Sequence, residues 1–358
     1  MELTTLLDEM TEGTWISDLH LVAGQPPVFR KEGTLIRREG AVLDAETLEK
    51  LIAPHLSEAL RVRLLHEGRD VTAAVRHGGQ AFRMHVFRER GNLCAALRIR
   101  PRNVPTLDEL GFEGAHLELL KDLTKRMRGL VIVTGPTGSG KSTTIASMIE
   151  EINRTRAERI LTVEDPIEYE FTSKESLITQ CEMDTDFPDF PRALRGAFFT
   201  DPDVILVGAL NTLESLQLSL SLAETGHLVF APLGQPSASE ALERLVASFP
   251  ESNRREVRRQ LSNNLQAVIA QQLVPRFEKP GRVALHEILM ATPAVRQAIR
   301  DGASDFAAEI EAGREIGMQT MDDALVKAVE AGEIGRELAL GRLSDPSRLA
   351  TAPSPPSS

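Results

Sequence analysis

Aromatic residues, cysteine and net positive charge are all scarce in this 358-residue sequence. Aromatic residues make up 4%, with one Trp and one Tyr, which argues against single-stranded nucleic-acid binding by base stacking. The 41 basic residues are outnumbered by 52 acidic ones, and the formal net charge of −11 disfavours a protein that neutralises nucleic-acid phosphates. Cys94 and Cys181 are far apart and predict neither a disulfide framework nor a zinc site, which favours a reducing, cytosolic compartment.

Long apolar runs are missing as well. No run approaches the roughly 20 residues that a membrane-spanning helix needs, so we expect no membrane insertion. The N-terminus lacks a basic segment followed by an apolar one, and we expect no signal peptide. The remaining composition, 42% hydrophobic and 26% charged residues, is typical of a globular protein, and the length suits two domains.

The hydrophobic pattern divides the chain into segments. Residues 1–100 combine helical spacing with alternating strands, which predicts a small α+β domain. Residues 101–110 contain two prolines and no periodicity, which indicates a linker. Residues 111–290 place apolar strands between helical patterns, which predicts an α/β domain with a parallel sheet covered on both faces. Residues 291–346 indicate a C-terminal helical segment, and the Pro- and Ser-rich residues 347–358 a disordered tail.

One motif predicts a specific ligand. Residues 135–142, Gly-Pro-Thr-Gly-Ser-Gly-Lys-Ser, match the P-loop pattern G-x-x-x-x-G-K-[ST], and an apolar strand precedes them while a helix follows. The glycines allow backbone N–H groups to surround a phosphate, the lysine neutralises charge, and the serine hydroxyl ligates Mg²⁺. The pattern therefore predicts binding of a nucleoside triphosphate with Mg²⁺. The predicted contacts are Gly135, Thr137, Gly138, Ser139, Gly140, Lys141, Ser142 and Thr143.

Two carboxylates end the next apolar strand along the chain. Glu164 and Asp165 directly follow residues 160–163. At the C-terminal end of a parallel strand beside a P-loop, such carboxylates can orient Mg²⁺ and the attacking water. We therefore assign Glu164 as the candidate catalytic residue, and Asp165 with Ser142 as candidate metal ligands. On the residues alone, a solvated acidic loop remains an open alternative.

Several longer segments resemble one family. Residues 162–169, Thr-Val-Glu-Asp-Pro-Ile-Glu-Tyr, resemble the Asp box of the type II/IV secretion ATPases. Residues 201–208 resemble the Walker B strand of that family, and residues 223–230 resemble the segment that enters its His box.

Other segments resemble the twitching-motility retraction branch of this family, the PilT-like ATPases. They are residues 17–20 with 24–27, near the N-terminus, and residues 294–300 and 317–321, near the C-terminus. The cysteine-rich zinc insertion of the assembly-type and type II secretion ATPases is absent from the sequence, which favours the retraction branch.

The resemblance implies a PAS-like N-terminal α+β domain and a RecA-like P-loop ATPase domain, with ATP and Mg²⁺ between them. It also implies a homo- or hetero-hexamer of PilT-like subunits. The ring would be cytoplasmic, peripheral at the inner face of the cytoplasmic membrane on the platform of a type IV pilus machine. It implies no nucleic-acid partner. Arginines of the N-terminal domain complete the ATP site in the family, and Arg83, Arg90 and Arg98 are the candidates here, Arg83 and Arg98 foremost. Exposed strand arginines are the alternative.

Three departures from the family pattern fall at its chemistry. The Walker B sequence Val-Gly-Glu is Val-Gly-Ala here and ends at Ala209. The His box Gly-Thr-Leu-His-Thr is Ala-Pro-Leu-Gly-Gln, so Gly234 stands in place of histidine, and Pro232 lacks a backbone donor. The second arginine of the family's Leu-Arg-x-x-Leu-Arg sequence is Phe199.

These departures favour retained ATP binding with weakened hydrolysis. Loss of one positioned catalytic group commonly costs about 10²–10⁴ in rate. Glu164 remains as a candidate to polarise water, so whether the chain is an active enzyme stays open. We predict an ATP-binding PilT-like protein of a type IV pilus system, with an accessory role beside an active paralogue. The alternative is a non-catalytic, nucleotide-responsive scaffold or regulator of a pilus or secretion machine.

Overall fold

The computed structural model describes residues 2–12, 16–31, 34–101 and 103–350. The chain divides into two compact units, with the boundary between Asn103 and Val104. This boundary falls inside the segment 101–110 that the sequence indicates as a linker. Among the described residues, no helix is both long enough and apolar enough to cross a bilayer.

The first unit is an antiparallel sheet with helices. Its helices are α1 (Leu3–Glu12), α2 (Ala45–Ile52) and α3 (Glu58–Leu65), with a 3₁₀ turn at Ala53–His55. Its strands are β1 (Ile16–Leu21), β2 (Val28–Lys31), β3 (Thr34–Arg37), β4 (Val71–His77), β5 (Gln80–Glu89) and β6 (Asn92–Ile99). The strand order is β3-β2-β1-β6-β5-β4.

Alternation along the strands separates a buried face from a polar face. On β5, Phe82, Met84 and Val86 are fully buried in a core that also contains residues of all three helices. Arg83 and His85 lie on the opposite face, because successive side chains of a strand point to opposite sides. The polar face therefore carries the arginines predicted to contact ATP.

The second unit is built around a seven-stranded sheet. The first elements are α4 (Gly114–Thr124), β7 (Gly129–Thr134), α5 (Lys141–Thr155), β8 (Arg159–Glu164), β9 (Leu177–Glu182), α6 (Phe190–Ala197) and β10 (Val204–Val207). They are followed by α7 (Leu213–Glu224), β11 (Leu228–Leu233), α8 (Ala238–Ala247), α9 (Glu251–Asn264), β12 (Leu265–Pro275) and β13 (Arg282–Met290). The strand order is β13-β12-β7-β11-β10-β8-β9, parallel except for the antiparallel pair β12–β13.

The sheet is larger than the sequence pattern predicts. The predicted apolar strands form β7, β8, β10 and β11, but β9, β12 and β13 were not predicted, and β13 makes the sheet mixed. Fully buried strands β7 and β10 lie between two apolar layers. The P-loop follows β7, and the sites of the Walker B and His-box departures follow or end β10 and β11, so all three meet at the carboxyl edge of the parallel strands.

Short helices form the last part of the chain that the structure describes. They are α10 (Pro293–Asp301), α11 (Ala307–Ala312), a 3₁₀ turn (Arg314–Ile316), α12 (Met321–Glu330), α13 (Arg336–Leu340) and α14 (Ser347–Ala350). The prediction of a disordered tail over 347–358 is wrong for its first four residues, which form α14. Leu349 is fully buried there, and its carbonyl accepts a hydrogen bond from Arg336 Nη2 at 2.8 Å. The rest of the predicted tail, 351–358, lies outside the described residues.

Candidate nucleotide site

The P-loop joins β7 to α5 by a loop that only glycine can complete. Gly135, Gly138 and Gly140 all have positive φ angles, a region that favours glycine. A Cβ at Gly135 would lie 2.3 Å from the Gln271 carbonyl oxygen, and one at Gly140 would lie 2.7 Å from Gln271 Nε2. The loop therefore lies directly against β12.

Every predicted phosphate contact lies in this loop or at the start of the helix after it. Gly135, Thr137, Gly138, Ser139 and Gly140 belong to the loop, and Lys141, Ser142 and Thr143 are the first three residues of α5. Unsatisfied N–H groups and the helix dipole make such an N-terminus attractive to anions. The backbone therefore has the form of a phosphate-binding loop.

Lys141 closes the loop on itself. Its Nζ donates hydrogen bonds to the carbonyls of Gly135 and Pro136, both at 2.8 Å. Partial burial is the main cause that lowers the pKa of Lys141, opposed by the charge of Glu168. The ammonium is thus held over the loop, within reach of a phosphate that the backbone binds.

Gln271 of β12 contacts the P-loop and the first turn of α5. The sequence did not predict a role for this residue. Its Oε1 accepts a hydrogen bond from Thr144 Oγ1 at 2.7 Å, and the side chain is buried. This contact ties the first turn of α5 to β12. The sequence signal available was a pair of glutamines, Gln271 and Gln272, inside an otherwise apolar run.

The two candidate carboxylates lie next to Ser142. Ser142, Glu164 and Asp165 line one small cavity, together with Tyr169, whose hydroxyl is 2.9 Å from Thr143 Oγ1. The structure therefore brings together the candidate metal ligands and the candidate catalytic residue. Oxygen donors of this kind suit Mg²⁺.

Glu164 is the last residue of β8 and is buried. Burial raises the pKa of its carboxyl group to about 7, against the opposing effect of hydrogen bonds. Thr162 Oγ1 donates to Glu164 Oε1 at 2.7 Å, and Gln180 Nε2 donates to the same oxygen at 3.4 Å. A carboxyl group with such a pKa can hold or release a proton near neutral pH.

A cleft of about 740 Å³ adjoins the P-loop and contains two of the three departures. Ala209 and Gly234 line it together with Thr137, Lys141 and Pro232. None of the described residues that line it is Asp, Glu or His. A methyl group and a hydrogen cannot hold water or donate a hydrogen bond, so this side of the cleft lacks the groups that the family pattern supplies.

The space around the departures differs from one position to the next. A Cβ at Gly208 would lie 2.9 Å from the Cα of Glu164, which shows how closely the ends of β8 and β10 approach. Ala209 follows directly. A Cβ at Gly234 would have no neighbour within 4 Å, so the space for a side chain is open. Phe199, the third departure, follows α6, is 89% exposed, and does not line the cleft.

The predicted arginines lie in the first unit. Arg98 faces Arg83 across β5 and β6 and faces Asp18 across β1 and β6. Arg98 Nε donates to Oδ1 of the buried Asp18 at 2.7 Å, while 68% of the Arg98 side chain is exposed. The structure thus brings Arg83 and Arg98 together, whereas Arg90 lies in the β5–β6 turn beside Glu89.

Comparison with known proteins identifies the family. The sequence model of the type II/IV secretion system protein family matches residues 62–339, more than half of the chain. The chain is 41% identical over 339 residues to the type IV pilus retraction ATPase PilT of Pseudomonas aeruginosa, covering 94% of this chain and 96% of PilT. The chain belongs to the PilT-like type II/IV secretion ATPases. The chain is also 36% identical over 342 residues to the type IV pilus ATPase PilU of the same organism, covering 95% of this chain and 88% of PilU.

Two solved structures match nearly the full length of this chain. The crystal structure of the pilus retraction motor PilT with bound ADP matches with a TM-score of 0.88 and 38% identity, covering 98% of this chain and 99% of PilT. The ATPase DotB of Legionella pneumophila matches with a TM-score of 0.77 and 26% identity, covering 94% of each chain. These matches confirm the predicted fold, an α/β RecA-like P-loop domain with an N-terminal α+β domain and a C-terminal helical segment.

Proposed function

We propose that this PilT-like chain binds ATP with Mg²⁺ in a type IV pilus machine and hydrolyses it weakly. One observation carries the proposal: the P-loop cradle around Lys141 is complete, whereas Ala209 and Gly234 on the adjoining cleft lack polar side chains. Packing does not require Lys141, because the hydrogen bonds of its ammonium to described residues go to two loop carbonyls. The presence of Lys141 beside two positions that lack polar side chains therefore favours a protein that still binds ATP but hydrolyses it slowly.

The chemistry of the site separates binding from hydrolysis. Backbone N–H groups and Lys141 would bind the phosphates, and Ser142 and Asp165 would hold Mg²⁺. Bound Mg²⁺ would neutralise phosphate charge. Glu164, with its raised pKa, would accept a proton from water in the small cavity that it shares with Ser142, because no described residue that lines the larger cleft is a carboxylate. Loss of a single positioned group commonly costs about 10²–10⁴ in rate.

The assembly we propose is a hexamer of PilT-like subunits, cytoplasmic and peripheral at the inner face of the membrane, on the platform of the pilus machine. The relatives named as pilus ATPases support this setting. The exposed Arg98 and its neighbour Arg83 would complete the ATP site, as the family resemblance implies.

Weak hydrolysis suits an accessory role beside an active paralogue. The alternative role is a nucleotide-responsive scaffold or regulator that never hydrolyses ATP. Mixing this chain with an active PilT-like ATPase distinguishes the two roles. Turnover above the sum of the separate proteins supports the accessory role, and a sum without gain supports the scaffold.

Replacement of the P-loop lysine tests nucleotide binding. Lys141→Ala removes the ammonium above the phosphates, and a hydrogen bond to a charged group contributes about 2 kcal/mol, or roughly 30-fold in affinity. Calorimetric titration with Mg·ATP should therefore show at least that loss. Lys279→Ala, in the exposed β12–β13 loop, is the matched control and should bind as the unmodified chain does. Unchanged affinity in Lys141→Ala would overturn the assignment.

A further inference from the structure

Gln235 occupies a fixed position beside the P-loop. It lies two residues after the end of β11, where its carbonyl accepts a hydrogen bond from Thr134 Oγ1 at 2.7 Å. Its backbone N–H donates to the same hydroxyl at 3.0 Å. Thr134 is the last residue of β7, immediately before the P-loop. These two bonds hold the backbone of Gln235 to the start of the loop.

The side-chain oxygen of Gln235 has no hydrogen-bond partner in the part of the chain that the structure describes. It lines the same cleft as Thr137 and Lys141, and its Oε1 is buried without a hydrogen-bond partner among the described residues. Buried polar atoms in folded proteins are nearly always hydrogen-bonded, and an unsatisfied one is costly. An unpartnered carboxamide oxygen beside a phosphate loop therefore points to a polar ligand in the cleft.

The chemistry of a carboxamide suits a phosphate oxygen. It carries an acceptor oxygen and a donor NH₂ group at equal distance from the chain, and rotation of the terminal bond exchanges their places. The NH₂ group can then donate to an anionic oxygen. Because the amide does not titrate near neutral pH, it cannot take a proton from water as a base. Such a group recognises a phosphate without replacing a lost catalytic residue.

We propose that Gln235 binds the γ-phosphate of ATP and so enables this chain to distinguish ATP from ADP. The inference rests on the proposed function, because it requires a nucleotide at the P-loop. Gly234 beside it has no side chain, so Gln235 provides the first side chain after β11 that can donate a hydrogen bond to the cleft. ADP, whose phosphates end at the β-position, would leave the amide without a partner.

Titrations with two nucleotides test the inference. The chain, Gln235→Ala and Gln235→Glu are titrated with Mg·ADP and with a non-hydrolysable ATP analogue. Removal of a hydrogen bond to a charged oxygen should weaken binding of the analogue at least about tenfold and leave ADP within about twofold. Gln235→Glu keeps the size but repels the γ-phosphate, so its selective loss should be larger. Gln217→Ala, an exposed glutamine of α7, is the matched control.

The outcomes separate this inference from the proposed function. Selective loss of the ATP analogue supports it, and intact ADP binding shows that the variant is folded. If affinity falls equally for both nucleotides, Gln235 only maintains the shape of the cleft, and the inference is overturned. Unchanged affinity for both nucleotides also overturns it. If the unmodified chain binds neither nucleotide, the proposed function fails, and the role of Gln235 fails with it.

Discussion

At the residue scale, polarity is distributed unevenly around the P-loop. Glu164 is buried with a raised pKa, while Ala209 and Gly234, which line the adjoining cleft, have no polar side chains. The absence of polar side chains at these two positions follows from the sequence directly, because it depends on residue type alone. The environment of Glu164 was not predictable, since its pKa results from burial by residues distant in the chain.

The raised pKa of Glu164 predicts that the stability of the folded chain depends on pH. Between about pH 4.5 and pH 7 the folded chain binds a proton that the unfolded chain has lost, so stability falls as pH rises through this window. The shift from 4.5 to about 7 corresponds to about 3 kcal/mol. Glu164→Gln should therefore melt close to the unmodified chain at pH 4.5 and several degrees higher at pH 8.

Thermal unfolding followed by circular dichroism at the two pH values measures this difference. Glu175→Gln, in an exposed loop, is the control and should change neither melting temperature. Equal melting temperatures for Glu164→Gln and the unmodified chain at pH 8 would contradict the claim that ionisation of the buried Glu164 destabilises the fold.

At the element scale, β12 packs against the nucleotide loop through Gln271. The predicted strands were those with short continuous apolar runs. The strand β12 was missed because α9 ends at Asn264 and the strand starts at Leu265, with no turn residue between them. Glutamines within the strand also interrupt its apolar pattern. Edge strand β9 was missed because its residues are only partly buried and give a weak alternation.

The contact between Gln271 and Thr144 predicts an effect on both stability and binding. Gln271→Ala leaves a buried hydroxyl without its acceptor, which should cost about 1–2 kcal/mol and weaken Mg·ATP binding severalfold through the P-loop. Chemical denaturation and calorimetric titration measure the two effects. Gln272→Ala is the neighbouring control, because its side chain contacts Arg342 instead. Equal behaviour of the two variants would show that Gln271 does not support the loop.

At the scale of the whole molecule, the arginines and the P-loop belong to separate units. The sequence predicts two domains and a linker over 101–110, because composition and periodicity change there, and the boundary between the two units falls inside that segment. It could not predict that Asp18, distant in the chain, pairs with Arg98, because strand register brings them together. Arg83 and Arg98 remain predicted ATP contacts.

Neutral replacement of the arginines tests their predicted role. Arg98→Gln alone would remove the ion pair between Arg98 and the buried Asp18, so the test combines it with Asp18→Asn and Arg83→Gln. We expect at least about tenfold weaker Mg·ATP binding and loss of nucleotide-dependent assembly in sedimentation. Arg88→Gln, an exposed arginine of β5, is the control. If affinity and assembly both persist, these arginines are ordinary surface residues.

The central claim is that hydrolysis is weak because particular side chains are missing while the fold is intact. Steady-state ATP turnover of the triple variant Ala209→Glu/Pro232→Thr/Gly234→His tests it most directly, since the space at Gly234 is open. We predict a gain of at least about tenfold over the unmodified chain, equivalent to about 1.4 kcal/mol of barrier. Rapid turnover by the unmodified chain would contradict the claim, as would no gain in a triple variant that folds and binds ATP.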